Sequence, residues 1–220
     1  MELVNKIYRD INGSLFYFIG VGISIITIIT SVALYTTGGG SYSILTNFVS
    51  DLGATSAPNN AFIAFNIGLI LNSIISPFGT LFLAFLFLKN DIKLKWIVWL
   101  WVLVNIISSI ATFLVALFPE DTMLGPHIVA AIITFFFGMI SYIIYGILTI
   151  IMERINNIHS LLGFLLAALS IIFMSSWVLR IELSLITLLE WLVMFGGWGF
   201  GLYLGIMCLK LKKRLNFRFI

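Results

Sequence analysis

Charge is what this sequence lacks most. Asp, Glu, Lys and Arg make up only 10% of its 220 residues, against roughly a quarter in soluble domains. Hydrophobic residues reach 61% and mean hydropathy is +1.14, which leaves no stretch for a separate aqueous domain. A soluble enzyme, a coiled coil and a disordered module are thereby excluded, and the chain is expected to form one domain in a bilayer. The net charge of +3 comes from basic residues set between apolar segments, so no nucleic-acid partner is expected.

Cysteine and histidine are nearly absent. Cys208 stands alone, which excludes an intramolecular disulfide or a redox pair and leaves a buried, inert thiol as the expectation. His127 and His159 are the two histidines. They fall at opposite ends of helical segments, about 30 Å of hydrocarbon apart, so they cannot share an ion. No metal and no cofactor are expected. There is no Walker loop, dinucleotide fingerprint or nucleophile elbow, and no clear inverted repeat of the transporter kind.

What is abundant is apolar sequence in runs of membrane-spanning length. A bilayer core needs about 20 apolar residues in helix, and six windows qualify: 14–35, 60–88, 96–117, 126–152, 161–178 and 185–209. The expected fold class is therefore all-α, a six-span multi-pass bundle, with Pro77 inside the second span and expected to kink it. Lys6, Arg9, Lys89, Lys93, Lys95, Arg154, Lys210, Lys212, Lys213, Arg214 and Arg218 all fall on one side, and only Arg180 on the other. By the positive-inside rule both termini face the cytoplasm, in the cell membrane.

The acids complement this pattern. Asp51, Glu120, Asp121, Glu182 and Glu190 lie on or just below the outer side. Between the first two spans, Gly38-Gly39-Gly40 breaks the helix, and Ile44, Leu45, Phe48, Val49 and Leu52 recur at helical spacing. That periodicity predicts a short interfacial or re-entrant helix closed at Gly53, with an ordinary surface loop as the alternative. Thr27, Thr30, Ser31, Asn66, Ser108, Ser109, Thr112, His127, Thr134, Ser175, Ser176 and Glu190 put polar groups in the outer halves of the spans. An ionisable residue there, Glu190 above all, is expected to face protein or water rather than lipid.

Gly197, Gly201 and Gly205 recur at i, i+4 and i+8. Such a stripe allows close helix approach, within the bundle or across a homodimer. Trp96, Trp99, Trp101, Trp177 and Trp191 are placed as interfacial anchors. His159, beside Asn156 and Asn157, is placed as a solvated helix start.

Tyr42-Ser43, Asn47-Phe48-Val49-Ser50-Asp51-Leu52-Gly53, then Phe65-Asn66 and Gly68, form one outer signature. Phe118-Pro119-Glu120-Asp121 followed by His127 and Phe135 forms a second, and Glu190-Trp191 a looser third. Together, over about residues 10–210, they resemble the uncharacterised polytopic membrane family known as domain of unknown function 998. That family is more distantly similar to the Frag/DRAM/Sfk membrane proteins. The resemblance implies that Ser50, Asp51, Asn66, Asp121 and His127 form one outer constellation, joined by Glu190, and it implies no activity.

Two functional classes follow for that constellation. In one, it binds or moves an amphipathic, lipid-like ligand at an outer-leaflet cavity, with Asp51 and Glu190 accepting and His127 orienting. In the other, it is an intramembrane lipid hydrolase or transferase, with His127 as base and Asp51 or Glu190 holding its tautomer. A purely structural membrane partner without a cavity is the third alternative.

Overall fold

The structure, a computed structural model, describes residues 12–89, 94–152 and 158–214. Every regular element among them is helical. The long helices are α1 (Ser14–Thr37), α2 (Ala61–Lys89), α3 (Lys95–Leu117), α4 (Leu124–Ile151), α5 (Ile158–Val178) and α6 (Leu183–Arg214). All six are long and apolar enough to cross a membrane, as expected for a multi-pass membrane protein, and they start and stop within a few residues of the expected spans. α2 continues through Pro77 as one helix.

Each helix packs against its neighbours in sequence, and α6 returns to α1 and closes the ring. Side chains such as Ile26, Ile29, Ile110, Val129 and Ile172 project outward from it. A bilayer supplies no hydrophobic drive between helices, so close packing must do that work. Glycines provide it: a Cβ on Gly68 of α2 would lie 2.0 Å from Thr27 Oγ1 of α1, and one on Gly163 of α5 would lie 2.7 Å from the Tyr142 carbonyl of α4. The α6 stripe is used in the same way. Gly201 faces Val21, Gly205 faces Phe18 and Gly197 faces the Tyr142 hydroxyl, which places this close approach inside one chain.

We call the end carrying the long 38–60 connection the loop end, and the opposite one the tail end. The tail end holds the larger apolar core, with Phe82, Phe87, Trp101 and Tyr145 fully buried. Trp101 is part of this core rather than an interfacial anchor, and its Nε1 donates to Ser141 Oγ at 3.1 Å. His159 is also not a solvated helix start: its Nδ1 bonds the Tyr203 hydroxyl, which in turn accepts from Tyr145 at 3.0 Å. Cys208 is buried, as expected.

The 38–60 connection differs from the expected helix. It turns at Gly39, whose φ of +87° suits glycine, and becomes helical only in short 3-10 turns, at Ser50–Gly53 and at Pro58–Asn60. Side chains compete for the backbone groups that a longer helix would use. Asn47 Oδ1 accepts from Ser43 N at 3.1 Å, and Asp51 Oδ2 accepts from Phe48 N at 3.1 Å. The apolar residues of the periodic set still serve a core: Val49 and Leu52 are buried with Ile28, Phe65 and Trp191. The segment is thus a folded plug on the loop end.

Candidate functional site

The plug is fastened to α6 at two points. Glu190 Oε2 accepts from Val49 N at 2.7 Å, and Trp191 Nε1 donates to the Asn47 carbonyl at 3.2 Å. Trp191 therefore holds the plug and is not an interfacial anchor. Tyr42 closes the segment on itself by donating to the Phe48 carbonyl at 2.7 Å. Burial, together with the charges of Asp51 and Glu190, pushes the Tyr42 hydroxyl up, so it keeps the proton that this bond needs.

Beneath the plug, between the six helices, lies a cavity of about 370 Å³. Its roof carries Ser50, His127 and Glu190, and its walls carry hydroxyl and amide groups from α1 to α5, among them Ser24, Asn72, Asn105, Ser108 and Ser170. Asn72, Ser73, Ser76 and Thr80 continue this lining down α2 toward the tail end. Thr134 Oγ1 is buried there with no hydrogen-bond partner among the described residues. Ser175 and Thr30, by contrast, point outward from the ring.

Above the plug is a shallower vestibule of about 340 Å³ lined by Tyr35, Asp51, Glu120 and Asp121. The wall between vestibule and cavity is a polar chain. Asp51 Oδ2 accepts from Asn47 Nδ2 at 3.0 Å as well as from Phe48 N. The Glu120 side chain stands beside Asp51 and Ser50, and its Oε2 lies 3.9 Å from His127 Nε2. Desolvation by burial, then the neighbouring Asp51 carboxyl, push Glu120 up to about 7. Glu120 therefore holds a proton more readily than an ordinary carboxyl near neutral pH.

His127 is oriented by Phe118, whose carbonyl lies 2.7 Å from Nδ1. A carbonyl only accepts, so Nδ1 carries the hydrogen and Nε2 keeps its lone pair in the neutral ring. The expectation that Asp51 or Glu190 would hold this tautomer is corrected: a main-chain carbonyl does so, and the nearby carboxylate is Glu120. The α3–α4 connection brings Phe118 and Glu120 to His127 at once, because Met123 N bonds Pro119 O at 2.8 Å and turns the chain into α4.

The structure thus gathers Ser50, Asp51, His127 and Glu190 around one 3-10 turn. The other two expected residues support it from outside the cavity. Asn66 Nδ2 donates to the Gly53 carbonyl at 3.3 Å. The turn fits α2 because Gly53 has no side chain; a Cβ there would meet Phe65 at 2.8 Å and Asn66 Oδ1 at 2.9 Å. Asp121 accepts from Thr55 N at 3.0 Å, Thr55 Oγ1 at 2.8 Å and Ser56 N at 2.8 Å. Although desolvation works the other way, these bonds from Thr55 and Ser56 hold its carboxyl down at about 2. Glu120 is the residue that sequence reasoning left out of the site. Its position seven residues before His127, across a Pro-containing turn, was the available signal.

No three His, Cys, Asp or Glu side chains among the described residues converge as a metal site. The family described as protein of unknown function (DUF998) matches residues 18–207. The chain belongs to this family. The match runs from α1 into α6, so the DUF998 region includes the plug, the polar wall and all but Phe16 and Tyr17 of the cavity lining. No curated protein and no solved structure matches the chain.

Proposed function

We propose that this DUF998 protein binds or moves an amphipathic, lipid-like ligand in the cavity beneath the plug, with the loop end facing outward across the cell membrane and both termini in the cytoplasm. One observation carries the reading. The cavity joins a carboxylate and an imidazole at its roof to a hydroxyl- and amide-lined interior inside a ring of helices whose outer face is apolar. A volume of about 370 Å³ falls within the range of small-molecule sites. Asp51 and Glu190 act as acceptors at the mouth, and His127 orients the polar group.

The test is lipid co-purification, read by native mass spectrometry after extraction in mild detergent. The wild-type protein is expected to carry an amphiphile that His127→Ala and Glu190→Gln lose while still expressing and folding. Equal retention by both variants would rule the reading out.

A second reading, an intramembrane lipid hydrolase or transferase, is favoured by the His127 tautomer, which leaves Nε2 basic at the cavity wall and next to a carboxyl. In it, His127 Nε2 takes a proton from water or a hydroxyl as that oxygen attacks an ester of the lipid, and returns it to the alcohol oxygen that leaves as the ester bond breaks. Lipid profiles unchanged by deletion and by overproduction would remove this second reading without touching the first.

A further inference from the structure

Glu190 is the single carboxylate lining the cavity, and no Lys or Arg among the described residues lines it. The residue is 7% exposed. Its Oε2 is taken by Val49 N, while Oε1 has no hydrogen-bond donor among the described residues. The charged groups that act on it are Asp51 and Glu120, both of its own sign. The imidazole of His127 is turned toward Glu120 and Phe118 instead. A carboxylate buried in a low-dielectric bundle with no counter-charge is costly, and it needs a proton or a cation.

Its surroundings favour a cation. The vestibule on the far side of the Ser50–Gly53 turn carries Asp51, Glu120 and Asp121 and, among the described residues, no basic one, and a region of one sign of charge concentrates the opposite sign. Further from the loop end than Glu190, the cavity offers apolar aromatic wall in Phe135 and Trp198, suited to a hydrocarbon stem. Oε1 lacks a donor as well as a counter-charge. A quaternary ammonium would supply only the charge, whereas an N–H-bearing ammonium supplies both.

We propose that the cavity's ligand carries a primary ammonium group, which pairs with Glu190 Oε1 while its apolar part lies along the aromatic wall. This inference rests on the amphiphile reading above and narrows it. The shared chemistry belongs equally to a free alkyl amine and to an amine-bearing lipid headgroup, so the test carries an arm for each.

The protein in mild detergent is titrated with two series of water-soluble probes, read by tryptophan fluorescence, since Trp198 lines the cavity. One series is octylammonium, octyltrimethylammonium, 1-octanol and octanoate. The other is dihexanoyl phosphatidylethanolamine against dihexanoyl phosphatidylcholine. In at least one series the primary ammonium is expected to bind about tenfold tighter than its partners, as a charge-assisted hydrogen bond implies. The series that shows the preference identifies the source. In Glu190→Gln the preference is expected to shrink to about twofold or less. Binding by all probes without preference would overturn the ammonium assignment and leave the amphiphile reading standing. Binding by none would overturn both. A preference that persists in Glu190→Gln would overturn the pairing with Glu190. If that variant does not fold, the wild-type preference by itself decides for or against the ammonium.

Discussion

At the scale of single residues, the chemistry concentrates in Glu120. Its carboxyl, raised to about 7 against an ordinary 4.5, takes up a proton on folding. Its contribution to stability is therefore complete below about pH 4.5 and is lost as pH rises through 7. Because the side chain is partly solvent-screened, the loss amounts to about 1 kcal/mol. Thermal unfolding between pH 5 and 8 should show the wild type losing this increment relative to Glu120→Gln; parallel curves would contradict the raised Glu120 carboxyl. Asp121 has the opposite sign. Its lowered carboxyl adds stability above about pH 4, which disappears as pH falls toward 2. Asp121→Ala is expected to release Thr55 and Ser56, seen as faster amide exchange over residues 54–57 with the cavity intact.

How much of this was legible differs residue by residue. Asp51, His127 and Glu190 could be found because ionisable groups near the hydrocarbon are rare and need a reason. Glu120 and the Phe118 carbonyl could not be assigned, since a turn's local path decides which neighbour meets an imidazole. Asn66 and Asp121 were legible as polar and near the loop end, but not as supports: apart from Thr55 Oγ1, their partners are main-chain groups, which a sequence does not distinguish.

At the scale of elements, helix contacts follow the glycines. A Cβ at Gly201 or Gly205 would press on Val21 or Phe18 at 2.7 or 2.8 Å. Gly201→Leu and Gly205→Leu should thus each cost about 1–3 kcal/mol through overpacking against α1. Gly199 has nothing within 4 Å of a Cβ, so Gly199→Ala should be neutral or stabilising by up to about 1 kcal/mol. Chemical unfolding of the three variants side by side is the check, and equal losses at 199 and 201 would refute this assignment of the α6 face. The plug is the other informative element. Its apolar periodicity was legible, yet Asn47 and Asp51 direct their side chains into the local backbone and prevent a continuous helix. Trp191→Phe removes the bond to the Asn47 carbonyl, about 1 kcal/mol, and is expected to speed amide exchange across residues 43–49 while the helices stay protected.

For the whole molecule, the six spans were legible to within a few residues because hydrocarbon thickness sets their length. The ring closure was not. It depends on which face each helix turns inward, and helices buried by lipid on one side and protein on the other are apolar all round. Orientation rests on Lys and Arg placement, and it can be tested in a Cys208→Ser background. Arg180→Cys should react with an impermeant thiol reagent added outside intact cells, and Lys212→Cys only after permeabilisation. The reverse pattern would turn the cavity toward the cytoplasm.

The central claim is that the ring of helices encloses a ligand site. Its most direct test is an experimental structure in lipid nanodiscs, inspected for non-protein density beneath the plug. An elongated density running from Glu190 past Asn105 is the expected result. A cavity closed by its own side chains, with Glu190 paired to protein groups alone, would contradict the claim and leave the bundle as a structural membrane protein.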